Sequence, residues 1–156
     1  MTLGQFLKDD LIKVNLECEN REQLFEILAK EALKQGYVTD QFLTKVIERE
    51  SVFPTGLCMN NYNVAIPHTD PEFVKEQFIA VATLKKPVSF QLMDDKTKES
   101  DVNVVLMLGL NEPHSQLTVL QQIMQIIQDG SKIEQMLLAN NIEDIYTVFN
   151  QMEENN

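Results

Sequence analysis

Two stretches decide the fold: FIAVATL at residues 78–84 and VNVVLMLGL at residues 102–110. A strand with one wet face alternates apolar and polar residues, whereas these runs are apolar at nearly every position and rich in Val, Leu and Ala. That is the pattern of strands covered on both faces, and it places them at the centre of a sheet. Lys86-Pro87 and the polar stretch 93–101 predict turns on either side of a short strand at 88–90.

Working outward, residues 11–16 alternate Ile12, Val14 and Leu16 with polar neighbours, which predicts a half-buried strand near an edge. Asn20 with Gln23 three positions on forms a capping box. Leu24, Phe25, Leu28, Ala32 and Leu33 then recur at helical spacing until Gly36 stops the run. A second helix opens near Thr39 or Asp40, carries Phe42, Leu43, Val46 and Ile47, and ends around 48–50. Residues 51–70 read as a loop, forced by Pro54 and Gly56, with room for a short strand at 64–66. Leu117, Leu120, Ile123 and Ile127 space a third helix closed by Asp129-Gly130, Ser131 and Glu134 cap a fourth, and Ile142, Ile145, Tyr146 and Phe149 lie on the inner side of a last one opening at Asn141. The pattern predicts a single α/β layered domain over residues 1–150, with a mixed β-sheet of about five strands flanked by helices on its faces. Residues 151–156 are expected to fray.

The chain has 156 residues, 44% hydrophobic and 24% charged, enough to bury a core without disulfides or a structural metal. Its 24 acidic against 13 basic residues give a net charge of −11, which opposes binding to nucleic acid or to an anionic membrane. Cys18 and Cys58 stand forty residues apart, with neither zinc-site spacing nor a disulfide framework, and suit a reducing cytoplasm. No run of 18 apolar residues and no signal-like amino terminus occur, so neither export nor membrane insertion is expected.

Two histidines and two arginines make placement informative. His68 follows Val64-Ala65-Ile66 and the stiff Pro67, at the exit of a strand, where open α/β sheets present reactive groups. Thr69, Asp70 or a nearby carbonyl can hold one ring nitrogen and leave the other nucleophilic. Arg49 closes the helix that feeds the loop Phe53-Pro54-Thr55-Gly56-Leu57, and its planar fork suits phosphoryl oxygens. The Thr55 hydroxyl and main-chain N–H groups near Gly56 are further candidate donors. Against this stand blander readings, His68 as an ordinary loop histidine and Arg49 as a solvated helix-end cation. A hydrolase built on Cys58 and His68 lacks a recognisable nucleophile context, and a metal site on His68, His114 and Asp70 lacks ligand spacing.

Glu48-Arg49-Glu50, then Phe53-Pro54-Thr55-Gly56-Leu57, then Asn63-Val64-Ala65-Ile66-Pro67-His68-Thr69-Asp70 resemble the signature of enzyme IIA proteins of the fructose/mannitol superfamily of the sugar phosphotransferase system. The likeness is strongest to the galactitol-type branch and runs on through 80–84, 86–90 and the helix containing Leu117. The resemblance implies that His68 accepts a phosphoryl group on Nε2 from the histidine-containing phosphocarrier protein, with Arg49 in support. It then passes to a cysteine of a cognate enzyme IIB, while a membrane enzyme IIC binds the sugar. It implies a cytoplasmic carrier with no metal or organic cofactor. Phe53, Leu57 and Met59 are candidates for an apolar docking patch. In many relatives a second active-site histidine precedes the first leucine of the helix after the long apolar strand. Here that position is Gln116, with His114 two residues upstream, and both remain candidates. A regulatory protein whose phosphorylated His68 controls a target is the alternative.

Overall fold

The two apolar runs pair with each other in the computed structural model, which describes residues 3–59 and 61–154. β4 (Phe78–Gln91) lies antiparallel to β5 (Glu99–Gly109). Outside β4 lies β1 (Leu7–Leu16), parallel to it at one edge. Beyond β5 come β3 (Asn63–Ala65), parallel to β5, and β2 (Gly56–Cys58), antiparallel to β3. The resulting five-stranded mixed sheet has the order β1-β4-β5-β3-β2.

Alternation explains why both runs are solidly apolar. Ile79 and Val81 with Val104, Leu106 and Leu108 face one core, while Phe78, Ala80 and Ala82 with Val105 and Met107 face the other. The first core is covered by α3 (Pro113–Gln128), α4 (Gly130–Leu137) and α5 (Ile142–Glu154) through residues such as Ile123, Met136 and Phe149. The second is covered by α1 (Arg21–Lys34) and α2 (Phe42–Val52), through Leu24, Phe25, Leu28, Phe42 and Val46. Residues 78–82 and 104–108 therefore face a helical layer whichever way they point.

Local signals set the helix ends. The Asn20 side chain accepts from Gln23 N–H at 2.9 Å, and Gln23 Oε1 accepts from Glu19 N–H, a capping arrangement whose return bond falls one residue before the cap. Gly36, at φ 81°, ends α1 in the left-handed region that suits glycine. For α4 the cap is the Asp129 side chain, which accepts from the Ser131 N–H, so capping falls to Asp129 rather than to the expected Ser131.

Several elements depart from what the sequence pattern predicts. Lys86-Pro87 does not end a strand: β4 continues through it, and the register jumps from Thr83↔Val104 to Val88↔Val102, a bulged irregularity on β4 that accommodates the proline. Residues 56–58, expected to be loop, form β2. The second helix runs on to Val52. Leu117 sits on the outer side of α3 at 64% exposure. α5 continues to Glu154, through the first residues of the segment expected to fray, and residues 155–156 lie outside those described. No described helix is long and apolar enough to cross a membrane.

Candidate functional site

β3 ends at Ala65, and the chain beyond it stays tied to the sheet. Leu108 N–H donates to the Pro67 carbonyl at 3.0 Å, and His68 makes an isolated parallel bridge to Leu108. Pro67 fixes its own φ, so the backbone of His68 is held from both directions at the carboxyl end of β3. The ring is then fixed by its own neighbour: Nδ1 lies 2.8 Å from the Ile66 carbonyl oxygen. A carbonyl only accepts, so Nδ1 carries the proton and Nε2 keeps its lone pair. Of the three candidate holders of the ring, the carbonyl fills the role, and neither Thr69 nor Asp70 does.

His68 opens into a cavity of about 150 Å³ lined with Arg49, Thr69, Asp70 and Gln116 among others, over an apolar floor that includes Leu108 and Leu120. Burial of the ring pushes the His68 pKa below its ordinary value of 6.5; the Ile66 bond and the Asp70 carboxylate pull upward, while the Arg49 charge adds to the fall. The net direction favours the neutral imidazole, the form able to attack phosphorus.

Arg49 reaches the cavity from the last turn of α2. Its guanidinium lies 5.1 Å from the centroid of the Phe53 ring, and its Nη1 donates to Asp70 Oδ1 at 3.4 Å. Phe53 is 61% exposed, so the arginine is braced by an aromatic face at the surface.

The other sequence candidates divide. Gln116, from the first turn of α3, lines the cavity and donates from Nε2 to the Leu110 carbonyl at 3.4 Å. His114 is exposed and is not among the lining residues. The structure thus brings Gln116 to the site and leaves His114 outside it. Thr55 is also elsewhere: its N–H and hydroxyl both donate to the Glu50 carboxylate, at 2.7 and 2.8 Å, in a buried pair. Burial raises the Glu50 pKa above its ordinary 4.5, and the Thr55 bonds oppose that shift. A Cβ on Gly56 would stand 2.5 Å from the Gln91 carbonyl oxygen, so this glycine serves the close approach of β2 to residues 91–92. Leu57 and Met59 pack against the α3–α5 core, which leaves Phe53 as the exposed member of the expected patch. Cys58 is exposed and absent from the cavity lining.

Sequence reasoning missed Asp70 as the partner of Arg49, Phe53 as its brace and Glu50 as the anchor of the Thr55 loop. All three lie within the quoted motifs, but nothing in spacing announces which side chains of a loop will turn toward one another.

Comparisons with known proteins place the chain in a family. Residues 5–152 match the family described as "Phosphoenolpyruvate-dependent sugar phosphotransferase system, EIIA 2". The chain is 26% identical to the mannitol-specific phosphotransferase enzyme IIA component of Bacillus subtilis (strain 168), over 95% of this chain and 99% of that one. It is 27% identical to the galactitol-specific EIIA component of Escherichia coli (strain K12), over 81% and 83%. It also matches, at 26% identity over 95% of its length, the probable licABCH operon regulator of Bacillus subtilis (strain 168), of which it spans only 22%. Among solved structures, the "putative PTS IIA(PtxA)" of Streptococcus mutans superposes with a TM-score of 0.80 at 21% identity, covering 99% of this chain and 96% of that one. Enzyme IIA of mannitol from Escherichia coli, solved in complex with phosphorylated enzyme IIB, superposes with a TM-score of 0.74 at 18% identity, covering 93% and 97%.

Proposed function

Since the chain belongs to the EIIA 2 family of the phosphoenolpyruvate-dependent sugar phosphotransferase system, whose members are phosphotransferase proteins that carry a phosphohistidine, we propose that His68 is its phosphorylated residue. The donor is the phosphohistidine of the histidine-containing phosphocarrier protein, and the acceptor is a cysteine of a cognate enzyme IIB. The observation that carries the reading is the bond from His68 Nδ1 to Ile66 O, which leaves Nε2 as the free nucleophile of a half-buried, neutral ring.

In the uptake step the P–N bond on the donor breaks as the bond from phosphorus to His68 Nε2 forms, and the donor imidazole recovers its lone pair. The accepting ring keeps its Nδ1 proton and becomes more positive, and the Ile66 carbonyl dipole stabilises that charge. Arg49 meets the equatorial oxygens, and the Gln116 amide supplies a neutral donor beside it. In the discharge step the same P–N bond breaks as a P–S bond forms on the enzyme IIB thiolate. Both steps need transient docking, for which Phe53 and Leu117 offer exposed apolar surface, the kind of side chain that interface cores favour. The carrier works in the cytoplasm, beside a membrane enzyme IIC that handles the sugar.

We assign the sugar to a galactitol-like system, and the rates of discharge to galactitol- and mannitol-type enzyme IIB check that choice. The match to an operon regulator over 95% of the chain supports a second reading, in which phosphorylated His68 is sensed by a target. Transfer onward to a cysteine separates the two. The test of the main reading is incubation with phosphoenolpyruvate, enzyme I and the phosphocarrier. Acid-labile phosphate should appear on wild type and vanish in His68→Ala, and undiminished labelling of that variant overturns the assignment.

A further inference from the structure

A cavity that receives an anion has no electrostatic need of a carboxylate, yet Asp70 stands in its wall beside Arg49 and His68. With His68 neutral, Arg49 and Asp70 are the two charged members of that lining, and their charges cancel. The Asp70 carboxylate does not serve the local backbone, because it precedes the 3₁₀ turn Pro71–Phe73 but makes no side-chain capping bond to it. Its partner among the described residues is Arg49, at 3.4 Å, with side-chain exposures of 38% for Arg49 and 58% for Asp70. A pair this exposed adds little to stability. The bond is also single and long for a guanidinium that can form two parallel ones, so Arg49 can leave it easily. When it leaves, the Phe53 ring at 5.1 Å still holds it at the cavity mouth.

Resting on the assignment of His68 as acceptor, we propose that Asp70 is a positioning residue that competes with the phosphoryl group for Arg49 and so keeps the phosphohistidine a willing donor. A phosphoryl group carries close to two negative charges. Bound with Arg49 alone, it would be held by a full, uncancelled cation. With Asp70 present, every oxygen–guanidinium contact is made at the expense of the existing pair, and the carboxylate repels the group as well. The charged state of the site is raised in energy without blocking access to it, which is what a carrier that must give up its cargo requires. The opposed effects of Arg49 and Asp70 on the His68 ring show that both fields reach the imidazole.

The experiment measures the equilibrium of phosphoryl exchange between the phosphocarrier protein and this chain, together with the rate of discharge to enzyme IIB. Asp70→Asn keeps the shape and removes the charge. It should shift the equilibrium toward phosphorylated His68 by about two- to tenfold and slow discharge relative to uptake, while Asp70→Glu restores the wild-type ratio. An unmoved equilibrium overturns the proposal. So does a shift toward the unphosphorylated protein, the outcome if Asp70 merely steadied Arg49. Wild type that takes no label at His68 sinks the acceptor assignment itself, whereas an equal exchange equilibrium for wild type and Asp70→Asn sinks only the role of Asp70. Equal melting temperatures of the three proteins confirm that the exposed substitutions leave the fold intact.

Discussion

Replacing Glu50 by alanine should destabilise the domain out of proportion to one side chain at a helix end. In the wild type its carboxylate accepts the Thr55 N–H at 2.7 Å and the Thr55 hydroxyl at 2.8 Å, with Glu50 4% and Thr55 3% exposed. Truncation strands two buried donors that water cannot reach, at about 1–3 kcal/mol each. Part of this is offset, because the desolvation that raises the Glu50 pKa is relieved. A net loss of about 2–4 kcal/mol remains, or roughly 5–15 °C in melting temperature for a chain of this size. Thermal and urea unfolding followed by circular dichroism measure it. Thr55→Val, which removes one donor together with its bond, should be milder, and a double-mutant cycle isolates the pair. The pH dependence has a definite sign. A carboxyl whose folded pKa lies above its unfolded value contributes most below the ordinary 4.5 and loses that contribution as pH rises through the folded value. The stability of wild type relative to Glu50→Gln should therefore fall with rising pH across that window. A Glu50→Ala protein that melts within about 1 °C of wild type would refute the idea that this pair anchors the loop.

Arg49→Lys should slow phosphoryl uptake by about tenfold or more with little change in melting temperature, since a point charge cannot reproduce the fork, and single-turnover labelling measures it. Uptake should persist below pH 6.5 and fall only at lower pH, because protonation of His68 is disfavoured by burial; a labelling profile half-maximal at or above 6.5 contradicts the neutral ring. The same depressed pKa makes the unfolded chain the better proton binder, so this group's contribution to stability declines as pH falls through the unfolded value. Gln116→Ala should reduce uptake about three- to tenfold through loss of a neutral donor, whereas His114→Ala, outside the cavity lining, should label at the wild-type rate. Gly109→Ala should lower stability by about 2 kcal/mol or more, read by urea titration, because a Cβ there collides with the Phe78 ring opposite it in the β4–β5 pair.

Elements with a strong period were legible in the sequence. Leu24, Phe25 and Leu28 announce α1 because a helix packed on one side must repeat its apolar residues at that spacing, and the unbroken run 104–110 announces a strand with two covered faces. What failed was short or context-bound. β2 has three residues, too few for any period, and exists because β3 and residues 91–92 flank it. Lys86-Pro87 reads as a turn in isolation but is absorbed by a bulge whose existence depends on what β5 offers opposite. For the site, residue types were readable and pairings were not. Arg49 and His68 stand out by rarity and motif, while the choice of Ile66 O over Thr69 or Asp70 as holder of the ring rests on torsions around Pro67 that no spacing encodes.

The position of the site follows from where two parallel neighbours send their chains. β3 and β5 run side by side in the same direction, so both end at one edge of the sheet. From β3 the chain continues beside the end of β5, where Pro67 and His68 pair with Leu108, and then turns to pack Phe73 and Val74 into the core under α1 and α2. From β5 it turns to the opposite face, where Val119 and Ile123 of α3 enter the other core. Departures to opposite faces leave a gap at the shared edge that neither connection fills, the crevice expected where strand connections diverge. His68 sits on the first connection and Gln116 on the second, while Arg49 enters from the helix that covers the second core. Three residues far apart in the chain therefore meet for a topological reason. An insertion that lengthened either connection would separate them while leaving both cores intact.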